Sequence, residues 1–149
     1  MKELFYPAID RFTVLYRILP EALAVLEAVH KKNPSGRIGF VSGLITSDGP
    51  AFREKNMVIL DERTKAIREK HGFPIFSASD VFSQDHLERI ITSPFYVDRP
   101  EPWFRFWRSI LIDGYVTDIF MTKRWEQSVG ARDEFYTAQR IPLSIHSPV

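Results

Sequence analysis

The amino-acid sequence predicts a three-layer α/β fold, an open parallel sheet with helices on both faces. Three observations carry that expectation. Short apolar runs alternate with longer segments of helical spacing, which is the order of successive strand and helix units. The short runs are apolar at neighbouring positions instead of every second one, as strands covered on both faces must be. No internal repeat and no linker divides the 149 residues, whose 44% hydrophobic content suffices for one sizeable core. Residues 1–149 are therefore read as a single domain.

Along the chain, the residues before Pro20 leave open a further strand or an extra helix. "LPEALAVLEAVHKKNPSG" reads as a helix, with Pro20 in its first turn, Leu23, Leu26 and Val29 at helical spacing and a Pro-Ser-Gly stop. "RIGFVSGL" follows as a short buried strand bounded by glycine. "PAFREKNMVILDERTKAIREKHGF" has the length and the Glu/Lys/Arg content of a helix, entered at Pro50 and left at Gly72. "FPIFSAS" is the next strand. The segment from Asp80 to Pro102 shows no clear period and carries Pro94, Pro100 and Pro102, so it is expected to be mainly an irregular excursion, functional or mobile. "WFRFWRSILIDGYV" resumes helical spacing, "TDIFMT" is a strand, "SVGARDEFYTAQR" a helix and "IPLSIH" the last strand.

Composition removes several function classes. The net charge is +1 with both signs interspersed, so the chain lacks the footprint of a nucleic-acid polymer binder. Without cysteine it has no disulfide framework, thiolate metal site or cysteine nucleophile. His30, His71, His86 and His146 are far apart in sequence and form no HxxH pair, so no metal or other cofactor is expected. No run approaches the ~20 apolar residues of a membrane span, and no signal region opens the chain. A cytoplasmic protein with a small-molecule partner is the expectation.

In open parallel sheets, ligands bind at the carboxyl ends of the strands. That selects Ser42 to Pro50, Ser77 to Val81 and Lys123 to Gly130. The first loop, "SGLITSDGP", could hold a phosphate at a helix start, or could be a polar turn capped by Asp48. It contains neither GxxxxGK[ST] nor GxGxxG. In the third region Ser128 can cap the helix, and Gly130 lets a ligand approach the backbone. Asp133 and Glu134 lie about 100 degrees apart on the helix, so only one can face the strand ends. Both could equally be helix-start acids placed there by the dipole. The cluster Trp103, Phe104, Phe106 and Trp107 could stack on a base, or could be core or a subunit interface. Lys123 and Arg124 could attract phosphate or be solvated, and His146, after the last strand, could reach a site or simply be exposed near the terminus.

The order of these pieces, with "GFPIFSASD", a Trp-containing helix and "TDIFMTKRWEQSVGARDEFYTAQRIPL", resembles the nucleoside 2-deoxyribosyltransferase superfamily, including its nucleoside 5'-monophosphate N-glycosidase branch. The resemblance spans roughly residues 38–146 and is strongest at Asp118, Trp125 and the S-x-G-A-x-x-E run from Ser128 to Glu134; the preceding 37 residues lie outside it. It implies the same three-layer sheet, wound like flavodoxin or a Rossmann domain, and a homodimer or higher homo-oligomer. It implies that Glu134 attacks the anomeric carbon, a role suited to a carboxylate that stabilises an oxocarbenium-like transition state and then holds the sugar. It also implies Ser42, Gly43, Ser128, Gly130 and Trp125 as substrate or phosphate contacts. Ser128 stands where an aspartate would mark enzymes of free nucleosides, and a hydroxyl there suits a 5'-phosphate. The family's second acid would lie about two turns before Asp118, where this chain has Ile110. Asp113 is the nearest candidate for that role. The implied activity is cleavage or transfer at an N-glycosidic bond. The alternatives are an inactive nucleotide-binding protein of the same fold, and a partner-binding protein using the aromatic residues of 95–107.

Overall fold

The computed structural model describes residues 1–148. Four strands, β1 (Gly39–Ser42), β2 (Ile75–Ser77), β3 (Asp118–Met121) and β4 (Ser144–His146), form one parallel sheet in the order β2-β1-β3-β4. The three-layer open parallel sheet expected from the sequence is thus present. β1, β2 and β3 are buried at every position, which is why they read as continuous apolar runs. Ser42 pairs with Met121 and Gly39 with Asp118. The order reverses at β1, so the gap between the carboxyl ends of β1 and β3 is the switch point where a crevice opens.

The helices are α1 (Lys2–Ile9), α2 (Leu15–Lys32), α3 (Arg53–Lys70), α4 (Ala78–Val81), α5 (Gln84–Ile91), α6 (Glu101–Asp113) and α7 (Val129–Arg140). Alternation along the strands assigns the two faces. Phe40 meets Trp107 of α6 and Ser42 meets α7, while the open side of Gly43 faces Leu60 of α3. So α6 and α7 cover one face and α3 the other. Phe5, Phe40 and Phe76 join in the core, each contributing roughly 1.5–3 kcal/mol by burial.

One open alternative is resolved and two expectations are corrected. The first residues form α1, whose Phe5 and Ile9 are fully buried. Pro20 lies inside α2, because the helix starts at Leu15, whose N–H donates to the Tyr96 hydroxyl at 2.8 Å. Proline there removes the bond to the Tyr16 carbonyl, a loss tolerable because Tyr16 is 73% exposed and solvent can serve it. The segment from Asp80 is not mainly irregular: Ser83 caps α5 by accepting from the His86 N–H at 3.1 Å, and α5 buries His86, Leu87 and Ile90. Among the described residues, no helix is long and apolar enough to cross a membrane.

Candidate functional site

The site begins at the end of β1. Ser42 is 1% exposed, and its hydroxyl donates to Glu134 Oε1 at 2.7 Å, across 92 residues of sequence. Glycine is required next, because a Cβ at position 43 would stand 2.5 Å from Thr122 Oγ1. That hydroxyl and the Thr122 N–H both donate to the Ser42 carbonyl. β3 therefore clamps the end of β1 and sets the direction of the Ser42 side chain.

Glu134 arrives from α7. Ser128 caps this helix, its hydroxyl accepting from the Ala131 N–H at 3.1 Å. The Val129 N–H donates to Ser47 Oγ at 3.2 Å, tying the loop after β1 to the helix start. Asp133 and Glu134 do diverge: Asp133 takes a bidentate pair of bonds from Arg108 of α6, and Glu134 turns to the strand ends. Asp48 caps nothing, since Gly49 stands at the helix entrance, and it accepts instead from Asn56 at 3.2 Å.

A cavity of about 280 Å³ opens over Glu134. Gly43, Ser128, Gly130 and Glu134 border it at the strand and helix ends, and Trp103, Phe104 and Trp107 of α6 supply an aromatic wall. Phe82, Leu87 and Ile91 close the far side. Two larger clefts, of about 420 and 460 Å³, lie elsewhere. The smaller one matters for chemistry because it sits at the switch point and holds a buried acid. Among the described residues, Glu134 is the one carboxyl that lines it, and no Lys, Arg or His does.

The electrostatics follow from that lining. Burial pushes the Glu134 carboxyl up, the Ser42 hydroxyl pulls it partly back, and the neighbouring Asp133 charge raises it further; the result is about 8 in place of 4.5. At neutral pH the acid form dominates. Oε2 accepts no hydrogen bond from any described residue, so it is free for a ligand. Such a group can donate a proton or, once ionised, present an oxygen to an electron-poor carbon.

The other expected residues divide. Ser42, Gly43, Ser128, Gly130 and Glu134 converge at this end of the sheet. Trp125 stacks on Phe135 at 4.5 Å and does not line the cavity. Asp113 is exposed at the far end of α6, about six residues past Trp107 and so ~9 Å along the axis, and it is not brought to Glu134. Arg124 binds Gln127, and neither it nor Lys123 borders the cavity. The aromatic cluster splits: Trp103, Phe104 and Trp107 line the cavity, while Phe106 is core. His146 is not simply exposed; it is half-buried, bonds Asp118 Oδ2 at 2.8 Å and stacks on Phe120. Phe82, Leu87 and Ile91 were missed, although Ser83 followed by Leu87, Ile90 and Ile91 is a capped helical pattern. No protein-family model matches this chain, and neither a curated protein nor a solved structure matches it.

Proposed function

We propose that the protein cleaves or transfers the N-glycosidic bond of a nucleoside or nucleoside 5'-monophosphate, with Glu134 as nucleophile. One observation carries this: Glu134 stands buried at the floor of an aromatic-walled cavity, with one oxygen oriented by Ser42 and the other free. A base would stack against Trp103, Phe104 or Trp107, an interaction contributing ~1–3 kcal/mol. The sugar would then face the carboxyl group. Glu134 gives up its proton to solvent, its carboxylate forms a bond to the anomeric carbon, and the base departs with the glycosidic electron pair and takes up a proton from water. Water, or a second base, then displaces the carboxylate and completes hydrolysis or transfer.

The start of α7 supports a place for phosphate. Gly130 borders the cavity, its N–H has no acceptor among the described residues, and a helix N-terminus favours an anion. No cation lines the cavity, so any preference for monophosphates rests on such donors.

A second reading is a nucleotide-binding protein without turnover. It is favoured by the lining itself, in which Glu134 has no second carboxyl to protonate the leaving base. A chromatographic screen of nucleosides and 5'-monophosphates for released base decides between them. Release from one substrate supports the glycosidase reading. Binding without release supports the second, and absence of both removes the nucleotide altogether.

A further inference from the structure

The two faces of the sheet are unequally covered. Over β3 and β4, on the α3 side, lies a cleft of about 460 Å³. One wall is Arg63, Ala66, Ile67 and Lys70, a single face of α3 at helical spacing. Lys123, His71 and His146 border the same cleft. Among the described residues, no carboxyl side chain lines it.

Some of the chain's other cations are neutralised by acids. Lys2 and Lys65 share Asp61, Arg53 holds Glu88 and Arg108 holds Asp133. Lys70 and Lys123 pair with no acid among the described residues, and Arg63 makes one long bond, at 3.4 Å, to the Lys123 carbonyl. Asp118 lies behind His146, but it is buried and already accepts from Arg37, Thr117 and His146. Three cations with no acid partner among the described residues, gathered around one cleft, leave a local positive potential that an anion would neutralise. His146 adds a platform: one face of its ring stacks on Phe120 at 4.2 Å and 13 degrees, and the half-exposed ring borders the cleft.

We propose that this cleft is a second ligand site, for a phosphoryl or pyrophosphoryl anion held by Arg63, Lys70 and Lys123, with room for a planar group on His146. Arg63 offers a guanidinium fork and the lysines offer point charges, the donor set that phosphate oxygens take. The site is independent of Glu134, which lies on the opposite face of the sheet.

The test is a titration of the full chain with inorganic pyrophosphate at low salt, by calorimetry and by the ring-proton resonances of His71 and His146. Binding is expected to move both histidines and to weaken as salt rises. The exposed double variant Lys70→Ala/Lys123→Ala should bind roughly tenfold more weakly or worse, since two charge-assisted bonds are lost. Glu134→Gln should bind as well as the natural chain, which separates this site from the cavity. If a nucleoside diphosphate binds more tightly than pyrophosphate, the ligand is a nucleotide; equal affinity identifies the inorganic anion. Unmoved histidine resonances at millimolar pyrophosphate, or full binding in the double variant, would overturn the proposal.

Discussion

Two buried carboxyl groups on one sheet meet opposite fates. Asp118 opens β3 on the α3 face, and Glu134 meets the far end of β1 on the other face, about 10 Å further along the strands. Burial would raise Asp118, but bonds from Arg37, Thr117 and His146 outweigh it and hold the group at about 2. Glu134 has one serine hydroxyl and a neighbouring acid, so burial wins and the group stands at about 8. Both side chains are shielded from solvent, but Glu134 lies deeper within the protein and has fewer donors, so depth and partners together set opposite protonation. An acid given three donors joins the structure to itself, whereas one given a single donor and a cavity is left to react with something else.

The largest effect separating the two should be on turnover. Glu134→Gln keeps the side chain's size and an oxygen for the Ser42 bond, so the fold should persist while base release falls on the order of 10³-fold or more. Asp118→Ala should leave the cavity chemistry in place and cost stability instead. Its Arg37 partner is about half exposed and screened by solvent, so a loss of about 1–3 kcal/mol in denaturant unfolding is expected. A large loss of activity in folded Asp118→Ala would erase the contrast.

The pH dependence sharpens it. Folded Glu134 keeps its proton to about 8, while the unfolded chain releases it near 4.5. The folded state therefore binds more protons across that window, and stability falls as pH rises through it. Glu134→Gln removes this slope, so the variant should gain melting temperature relative to the natural chain between pH 5 and pH 9. Asp118 acts from the other side: its folded value is lowered from 3.8 to about 2, so its stabilisation is present above 3.8 and lost as pH falls through 2. Equal pH dependence in the natural chain and Glu134→Gln would mean that Glu134 is not held in its acid form.

How much of this was legible follows from where the information sits. β1 and β3 were visible because a strand buried on both faces writes itself as consecutive apolar residues. α5 was not, although Leu87, Ile90 and Ile91 keep helical spacing behind the Ser83 cap, because its eight residues run into a stretch broken by Pro94, Pro100 and Pro102. The divergence of Asp133 and Glu134 followed from helical geometry, but which of them faced the strands did not. That choice belongs to Arg108, on another helix 25 residues away. Ser42 and Glu134 meet across 92 residues, and only the resemblance joined them beforehand. Asp113 fails to reach the cavity for a related reason: chain proximity to β3 says nothing about which end of α6 lies over the site.

A smaller effect concerns Ser128. Aspartate caps a helix as well as serine does, so Ser128→Asp should leave stability nearly unchanged. The added charge would repel a phosphate at the α7 start, and monophosphates should bind severalfold more weakly while nucleosides do not. Equal weakening of both ligands would return Ser128 to a purely structural cap.

The central claim is that Glu134 itself bonds to the sugar. A nucleoside or monophosphate found to release its base can be remade with fluorine at C2', which slows both formation and breakdown of the sugar ester by destabilising positive charge at the anomeric carbon. Peptide mass spectrometry after incubation reads the outcome directly. The account predicts one fluorinated sugar on the peptide containing Glu134, and none in Glu134→Gln; an adduct on another residue, or full turnover by Glu134→Gln, would contradict it.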